Sequence, residues 1–478
     1  MNAVDSLYFF RSEILLTAAI FAVLILDFFI LEKKYLGWAS FLAVVIAFMI
    51  SPSFYPDEKL FFNYYIWDPF NFFFRAAAYL TIALTILASL VYDKIPQNQR
   101  GELYVMLLTL AILLTVMGGV TNLLMIFLAI ESVSLISYLL VGFQKFDKRS
   151  SEAALKYVLF GSVSSAVMLF GMSFIFGAAG TIDLIKIGTA FGGIGEMQTI
   201  LLIGMLLTLV GIGFKISMVP FHMWAPDVYQ GAPTPITAFL TVAPKALGFA
   251  VMTRFLMLAF PHWAGKWAHL LVGISILTMT VGNLVAISQS DIKRLLAYSS
   301  IAQAGYILAG LAMPGSLGLQ AMLIYIAAYL FTNLGAFFTV TTIEQNIGSN
   351  QIEAYNGLSR RNPLLALALS LFLLSLAGIP PLAGFIGKIY IFSAAINANQ
   401  AALAVAIALN SAVAAYYYFK IIKAMYLTSP SEIGSPFKNP IPIKLAVCIC
   451  LLGIFLIGLW PAYLIKLAEQ AIVTLPSF

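Results

Sequence analysis

Apolar segments about as long as a membrane span follow one another along the chain, and short polar links separate them. A helix needs about 20 predominantly apolar residues to cross a bilayer. Hydropathy finds such segments at 12–31, 36–54, 70–92, 103–119, 121–142, 155–178, 200–220, 236–260, 267–288, 295–312, 317–343, 362–397, 401–427 and 441–468. The pattern predicts an all-α polytopic membrane protein with about fourteen transmembrane helices.

The composition supports this class and excludes others. Only 10% of the 478 residues are charged, whereas 62% are apolar. A soluble chain carries roughly 25% charged residues, so a water-soluble enzyme is excluded. Both cysteines, Cys448 and Cys450, lie in the last apolar segment. We therefore expect no disulfide framework, iron–sulfur cluster or structural zinc site on this chain alone. The three histidines are not paired across segments as haem ligands would be, and no basic run suggests nucleic acid.

The basic residues are distributed unequally between the two sides of the predicted bundle. Of 26 lysines and arginines, fifteen lie in or beside the odd-numbered loops and six lie on the opposite side. The positive-inside rule then predicts that the odd loops are cytoplasmic and that both termini are not. We expect no signal peptide, because Asp5, Arg11 and Glu13 lie before or at the start of a full span. The other five basic residues fall within the predicted spans: Arg75, Lys215, Lys245, Lys388 and Lys420.

Four charged residues lie deep within predicted spans: Glu131, Lys215, Lys245 and Lys388. A charge at the bilayer centre costs ~2.5–3.5 kcal/mol, so such residues face the interior of a bundle or water and commonly mark an ion path. Lysine suits a proton relay, because it can give up its proton when it is buried, whereas arginine stays charged. The pattern indicates a relay built from a carboxylate and several lysines.

Other charged residues lie near the ends of predicted spans, and we expect them to lie at the membrane–water interface. This prediction applies to Asp27, Arg75, Asp291, Lys293 and Arg294. Lys420 leaves two interpretations open, because its long side chain can either reach the interface from the inner end of its span or point inward.

Two predicted spans are interrupted by proline and glycine. Four prolines follow Lys215 between residues 220 and 235, and Pro380 and Pro381 precede Lys388. Proline frees backbone carbonyls, and glycine loosens a helix, so both segments predict discontinuous helices. Broken backbone at membrane depth must be satisfied by protein or water, and it is typical of transporters, whose sites lie near the membrane centre.

His222 lies two residues after Pro220, at the first of these breaks. Imidazole suits proton transfer near neutral pH. The alternative is that His222 only bonds backbone carbonyls that the break leaves free.

The interior polar residues recur at similar spacings in the two halves of the chain. Glu131, Lys215 and Lys245 follow one another at 84 and 30 residues, and Gln303, Lys388 and Lys420 at 85 and 32 residues. The match makes Gln303 the counterpart of Glu131 and favours an inward Lys420, although two spacings can also agree by accident. Five spans per unit is an odd number, so the repeats are expected to be inverted in the membrane.

The repeat divides the chain into four predicted regions. Residues 1–100 form an N-terminal three-helix segment, and residues 101–262 form the first repeat, with helices 4–8. Residues 263–428 form the second, inverted repeat, with helices 9–13, and residues 429–478 form helix 14.

Four sequence motifs together resemble the antiporter-like subunits of respiratory complex I. They are FHMWAPDVYQGAPTPITAFL, DIKRLLAYSSIAQAGY, LAGIPPLAGFIGKIYIF and YYYFKIIKAMY. Within that family the chain is most similar to the N subunit, the equivalent of mitochondrial subunit 2, over about residues 100–430.

The resemblance implies fourteen core helices with two inverted five-helix units, and it assigns roles to the residues identified above. Glu131 and Lys215 would form the coupled pair of the first half-channel. Lys245 would relay protons toward the centre, and Lys388 would serve the second half. His222 matches the polar residue of the family's broken helix. Gln303 departs from the family, because many relatives carry histidine there, so the step at this position would pass through water that Gln303 orients.

The function implied is that of a proton-translocating subunit of an NADH–quinone oxidoreductase, without a redox centre of its own. NADH, FMN, iron–sulfur clusters and quinone would then be bound by partner subunits. The expected partners are an M-type neighbour, small membrane subunits, the peripheral arm and the lipid bilayer. The expected location is a bacterial cytoplasmic (inner) membrane, with the thylakoid membrane as the alternative.

Other functions remain open at this point. The chain could belong to a multisubunit cation/proton antiporter, which shares the fold, or could be a mainly structural linking subunit. A related complex could also take electrons from ferredoxin or another donor, since electrons enter on other subunits.

Overall fold

The computed structural model describes residues 3–52, 58–190, 195–313, 315–429 and 437–475. Most of this part is helical. In chain order the α-helices are α1 (Ala3–Phe9), α2 (Arg11–Asp27), α3 (Lys34–Ile50), α4 (Pro69–Ser89), α5 (Arg100–Met117), α6 (Leu123–Val141), α7 (Lys148–Ala179), α8 (Leu184–Ala190), α9 (Gly195–Ile216), α10 (Trp224–Gly231), α11 (Thr234–Ala259), α12 (Ala264–Ile287), α13 (Ile292–Ala312), α14 (Ser316–Ile347), α15 (Leu358–Arg361), α16 (Pro363–Ala377), α17 (Ala383–Asn397), α18 (Ala401–Leu427), α19 (Ile441–Leu459) and α20 (Ala462–Ile472). A short antiparallel hairpin, β1 (Glu58–Leu60) and β2 (Tyr65–Trp67), lies before α4.

The helical membrane class predicted from the sequence is confirmed. Eleven helical segments of the described chain are long and apolar enough to cross a membrane. The predicted spans 12–31 and 36–54 contain 17-residue helices, α2 and α3, and residues 53–54 lie outside the described part. The predicted span 362–397 is divided into two 15-residue helices, α16 and α17. The hairpin was not predicted, because three-residue strands leave too short an alternating pattern to detect.

Side-chain caps show why several helices begin where they do. The first N–H groups of a helix have no intrahelical partner, and a buried helix start must satisfy them within the protein. Asp68 accepts from the backbone N–H of Asn71 at 2.7 Å, and Asn122 accepts from that of Met125 at 2.8 Å. The cap at Asn122 begins α6 and separates it from α5, so the two predicted spans on either side of Gly118 are separate helices.

Three helices form the interior of the bundle. The apolar windows of α11, α13 and α14 are 100%, 94% and 89% buried, whereas those of α12, α18 and α19 are each only 39% buried. A charged or polar residue on the three interior helices is therefore surrounded by protein. Lys245 lies on α11 and Gln303 on α13.

Both predicted helix interruptions are present. Helix α9 ends at Ile216 before α10, and α16 ends at Ala377 before α17. Side chains satisfy carbonyls at these ends: Trp224 Nε1 donates to the Phe214 carbonyl at 3.0 Å, and Lys388 Nζ donates to the Ala377 carbonyl at 2.9 Å. The breaks are thus held by hydrogen bonds from the residues that follow them.

The interfacial prediction for Arg75 is wrong. Its side chain is fully buried, and its Nη2 lies 2.6 Å from Glu13 Oε1. The guanidinium also lies over the Trp67 ring at 4.2 Å from its centroid. The prediction failed because it treated Arg75 alone, whereas the neighbouring helix α2 supplies the counter-ion that a buried arginine needs.

A second buried arginine joins the N-terminal helices to the bundle interior. Arg254 on α11 lies 2.7 Å from Asp68 at the start of α4, and its Nε donates to the Gly118 carbonyl at 2.9 Å. Both side chains of the ion pair are 1% exposed.

We expect Arg254→Leu to destabilise the fold strongly, because it leaves Asp68 as an unpaired buried carboxylate. Removing one partner of a buried ion pair costs about 3–5 kcal/mol. Thermal unfolding in detergent measures the effect, and the exposed Lys186→Leu serves as the control. The double variant Arg254→Leu/Asp68→Asn should recover much of the loss, since the unpaired charge is gone and the helix cap is kept. Equal unfolding temperatures for the single and double variants would contradict this account.

Candidate functional site

Glu131 and Lys215 lie close to one another but do not form a direct ion pair. Lys215 is 1% exposed, and its Nζ donates to Ser134 Oγ at 2.9 Å. Glu131 is half-buried and accepts from Ser165 Oγ at 2.6 Å. Among the described residues, no ion pair joins Glu131 to Lys215. Ser134 lies one helical turn after Glu131, on the same face of α6, so Lys215 is held one turn away from Glu131.

Lys245 is enclosed by neutral groups on the interior helices. It is 2% exposed, and its Nζ donates to Ser300 Oγ at 2.9 Å and to the Ser300 carbonyl at 3.3 Å. The ammonium also lies 5.5 Å from the centroid of the Tyr229 ring. Ser300 and Gln303 are one turn apart on α13, so Lys245 reaches the helix that carries the second half's polar residue.

Gln303 lies among tyrosine hydroxyls. Its Oε1 accepts from the Tyr325 hydroxyl, and its Nε2 donates to the Tyr418 hydroxyl at 3.3 Å and to the Leu376 carbonyl at 3.4 Å. A cavity beside it, lined also by Thr332 and Ser375, offers about 10 Å³ to the centre of a water molecule. A polar cavity of this size approaches what one water needs, which agrees with a water-mediated step at this position.

Lys388 lies at the second break, next to the end of α16. Gln303 contacts the Leu376 carbonyl at that same helix end. Lys388 is 7% exposed, donates to the Ala377 carbonyl at 2.9 Å and lies 4.9 Å from the centroid of the Tyr306 ring. Its aliphatic stem crosses Gly378, which has a φ of +89°. A Cβ on Gly378 would lie 2.8 Å from Lys388 Cδ, so glycine is required both for the backbone conformation and for space.

We expect Gly378→Ala to impair this site without removing a titratable group. An alanine in the left-handed region costs roughly 1–2 kcal/mol, and its methyl group would displace the Lys388 side chain. The measurement is the rate of ion transport by the assembled protein, with Gly177→Ala as the control, because a Cβ there meets nothing within 4 Å. Wild-type transport in Gly378→Ala would show that the position of the Lys388 stem is unimportant.

His222 is placed at the first break, between α9 and α10, and is half-buried. Within the described part of the chain its Nδ1 is buried and has no hydrogen-bond partner, although the imidazole also interacts with the Pro220 backbone. The position therefore keeps both interpretations of His222, proton exchange and the satisfaction of a backbone carbonyl.

Lys420 is not brought together with the other predicted residues. Its side chain is exposed on the outer face of α18, beside Phe419. The 32-residue spacing from Lys388 exceeds the 30-residue spacing from Lys215 to Lys245 by two residues, which rotates a helical position by about 200°. The residue 30 positions after Lys388 is Tyr418, which is fully buried and accepts from Gln303. The spacing could have identified Tyr418, but a tyrosine carried no charge signal.

The charged residues that precede Gln303 divide into two groups. Arg294 is partly exposed, as an interfacial residue would be. Lys293, the second residue of α13, is 2% exposed and donates to the Ala232 carbonyl at 2.6 Å. The loop before α11 covers the start of α13 and supplies this carbonyl, so Lys293 is buried by protein at the end of its helix, and its interfacial depth stays a prediction.

Asp227 on the short helix α10 links the two halves at one end of the bundle. It accepts from Lys156 of α7 at 2.7 Å and from Arg294 of α13 at 2.5 Å. Partial burial disfavours its ionised form, but the hydrogen bonds from Lys156 and Arg294 outweigh burial and lower the pKa of Asp227 below its usual range.

The lowered pKa of Asp227 predicts a pH dependence of stability. A carboxylate whose pKa is lower in the folded state stabilises the fold above its unfolded pKa, near 4, and this contribution is lost as pH falls through the folded value. We expect the wild type to unfold at a higher temperature than Asp227→Asn at pH 7, and the difference to shrink below about pH 4. Thermal unfolding over this pH range is the measurement. A difference that stays constant to the lowest pH would contradict the prediction.

Comparisons with known proteins place this arrangement in a family. Residues 120–414 match the family described as NADH:quinone oxidoreductase/Mrp antiporter, transmembrane. NADH-quinone oxidoreductase subunit N of Trichlorobacter lovleyi is 40% identical over 465 residues, which cover 96% of each chain. The chain belongs to the subunit N family of NADH-quinone oxidoreductases.

Further relatives and structures extend this result. NAD(P)H-quinone oxidoreductase subunit 2 of Gloeobacter violaceus is 42% identical over 417 residues, which cover 86% of this subunit N-type chain and 81% of the relative. A chain of respiratory complex I from Thermus thermophilus superposes with a TM-score of 0.80 and 32% identity, over 96% of this chain and 100% of that one. A chain of the Mrp complex from Dietzia has a TM-score of 0.84 at 19% identity over 99% of this chain and 98% of that one, and so shares the fold.

The predicted resemblance to the N subunit is thereby confirmed, as is the membrane location of the chain. The chain is an antiporter-like membrane subunit of the NADH-quinone oxidoreductase type. Its described helices bring Lys215, Lys245, Gln303 and Lys388 into the interior, and Lys420 lies outside that group.

Proposed function

We propose that the chain moves protons through its buried lysines while other subunits of the same complex transfer electrons. One contrast carries the proposal. The buried arginines Arg75 and Arg254 are each paired with a buried carboxylate. Lys215, Lys245 and Lys388 are equally enclosed, yet within the described chain no carboxylate lies at ion-pair distance from any of them.

The hydrogen-bond partners of these lysines are uncharged. Each ammonium is held by neutral oxygens, those of Ser134, Ser300 and the Ala377 carbonyl. Burial without a counter-ion disfavours the protonated form of an amine. A lysine in this state can release and regain a proton, whereas an arginine with a counter-ion is a permanent structural charge. The interior lysines are therefore the residues suited to carry protons.

The order of the groups gives the proposed path. The charge of Glu131 changes the proton affinity of Lys215, which is bonded to Ser134 one helical turn away. Lys215 exchanges protons with Lys245. From Lys245 the proton passes by Ser300 to the hydroxyls and water around Gln303, and then to Lys388. Gln303 does not titrate, so in this scheme it orients the Tyr325 and Tyr418 hydroxyls and the bridging water. His222 exchanges protons at the first break in this scheme.

The architecture proposed for this path is a fourteen-helix membrane domain with inverted repeats at residues 101–262 and 263–428. The corresponding breaks at 217–223 and 378–382 support it. Residues 1–100 and 429–478 flank the repeats. Both termini are proposed to be non-cytoplasmic, from the distribution of basic residues.

The proposed setting is a bacterial inner membrane or a thylakoid membrane, since relatives come from bacteria that include cyanobacteria. The chain would assemble with an M-type neighbour, small membrane subunits and a peripheral arm. We propose that those partner subunits bind NADH or another electron donor, FMN, iron–sulfur clusters and quinone. This chain contributes proton transfer alone.

The test is transport by the assembled complex in liposomes, with protons and sodium measured separately. Redox-driven proton uptake that is unchanged when sodium is replaced by choline supports the proposal. The rival, a cation/proton antiporter subunit, is favoured by the shared fold with the Mrp chain. Sodium transport by the isolated chain in liposomes would support that rival and contradict the proposal.

A further inference from the structure

Glu344 is a buried carboxylate that the sequence analysis did not single out. It lies near the end of α14 and is 3% exposed. Its Oε1 accepts from Lys94 Nζ at 2.6 Å and from Asn350 Nδ2 at 3.1 Å, and its Oε2 accepts from the Thr234 hydroxyl. The Lys94 side chain is 46% exposed. Glu344 therefore lies between a lysine in contact with solvent and the first residue of α11.

Helix α11 carries a row of hydroxyl groups from that point inward. Thr234, Thr237, Thr241 and Lys245 are separated by three, four and four residues. At about 100° per residue their positions fall within an arc of roughly 80°, and the row is about 16 Å long. All three threonines are fully buried. The row begins at Glu344 and ends at Lys245.

Helix α14 runs along the same face of α11 and adds polar groups to it. Asn333 Nδ2 donates to Thr241 Oγ1 at 2.6 Å, and the Tyr329 hydroxyl donates to the Thr241 carbonyl at 3.1 Å. At the other end of the two helices, Glu344 contacts Thr234. Thr237 lies toward α10 instead, because its hydroxyl donates to the Tyr229 carbonyl at 2.9 Å. Helices α10 and α14 together therefore enclose the row in the most buried part of the bundle.

We propose that Glu344 takes up protons from the side of the membrane where Lys94 lies, and that the threonine row of α11 conducts them to Lys245. The proposal rests on the proposed function, because it supplies the interior lysines with protons. The distribution of basic residues assigns the Lys94 loop to the cytoplasmic side. Protons are then taken from the cytoplasm.

The steps conserve protons and charge. Lys94 swings into solvent, and the Glu344 carboxylate takes one proton from a hydronium ion, which leaves a water molecule. The carboxylic acid donates that proton to the Thr234 hydroxyl or to a bridging water, and each hydroxyl accepts one proton as it donates another. The last transfer protonates neutral Lys245. Glu344 is a carboxylate again, and Lys94 returns to it. Cβ atoms one turn apart are about 5–6 Å from one another, so each transfer between neighbouring hydroxyls requires a water molecule between them.

A structural role for Glu344 is the competing explanation, since it also ties the Lys94 loop and the start of α11 to α14. Valine at Thr237 and Thr241 separates the two explanations. It has nearly the shape of threonine but cannot donate or accept a proton, and it leaves the contacts of Glu344 intact. Thr253→Val is the matched control, because Thr253 is also fully buried on α11 but lies beyond Lys245.

The experiment measures the rate of proton pumping per assembled complex in liposomes, together with thermal stability. We expect Thr237→Val/Thr241→Val and Glu344→Gln each to lower pumping at least about fivefold, since a positioned proton-transfer group contributes roughly 10²–10⁴-fold. Thr253→Val should pump normally, and Glu344→Asp should restore part of the rate. The solvent deuterium isotope effect should rise in the double valine variant.

Pumping by Thr237→Val/Thr241→Val at the rate of Thr253→Val would overturn this proposal, even if Glu344→Gln fails to assemble. In that case a loss of pumping in Lys245→Met would leave the proposed function standing. Normal pumping in Lys245→Met would instead contradict the proposed function itself.

Discussion

Lys215→Met should abolish most proton pumping while the complex still assembles. Methionine fills the space of the lysine stem but carries no proton, and Ser134 loses only a neutral-to-charged hydrogen bond. Because no carboxylate is left unpaired, the fold loses little, unlike in Arg254→Leu. We expect pumping below about a tenth of the wild-type rate, since removal of a proton-transfer group costs roughly 10²–10⁴-fold. Quenching of a pH-sensitive dye in liposomes measures the rate.

Glu131→Gln tests the same site from the other side. If Glu131 tunes Lys215 electrostatically, the glutamine variant should also pump slowly, although its hydrogen bond from Ser165 can be kept. Ser165→Ala is the control, because it removes that hydrogen bond and leaves the carboxylate. Slow pumping in Ser165→Ala with normal pumping in Glu131→Gln would show that packing, and not charge, is required.

Lys245→Met and Lys420→Met should differ sharply. Lys245 lies between the two halves and contacts Ser300 and Tyr229, so its loss interrupts the path, and pumping should fall at least about tenfold. Lys420 is exposed on the outer face of α18, and we expect its variant to pump at the wild-type rate. Tyr418→Phe, at the inward position of the same helix, should lower pumping, because Gln303 loses a hydroxyl partner.

A loss of pumping in Lys420→Met equal to that in Lys245→Met would mean that the exposed lysine takes part in transport after all. Unchanged pumping in Tyr418→Phe would remove the hydroxyl from the path between Gln303 and Lys388.

The deep lysines could be identified from the sequence because a charge within a long apolar segment has few stable places. Lys215, Lys245 and Lys388 are all buried, as expected. Their partners could not be identified, since Ser134, Ser300 and the Ala377 carbonyl are ordinary groups that become partners only through packing.

Residues near helix ends were harder to interpret from the sequence. Glu344 and Arg75 lie near the ends of their helices, where a charge is usually interfacial, but neighbouring helices bury both. Lys420 shows the opposite error, because it was expected to point inward and is exposed. Its spacing differs from that of the first repeat by only two residues, but two residues rotate a helical position by about 200°. Such errors arise because sequence distance gives depth in the membrane but does not give the direction of a side chain.

The proposed function depends on proton movement by Lys215, Lys245 and Lys388, which are buried without a carboxylate at ion-pair distance in the described chain. The most direct test is the rate of proton pumping per complex in the triple variant Lys215→Met/Lys245→Met/Lys388→Met, in liposomes and beside the wild type. The account predicts that the triple variant assembles with its partner subunits and that the pumping attributable to this chain is lost. Wild-type pumping, with an unchanged number of protons per electron, would contradict it and would favour a structural linking role.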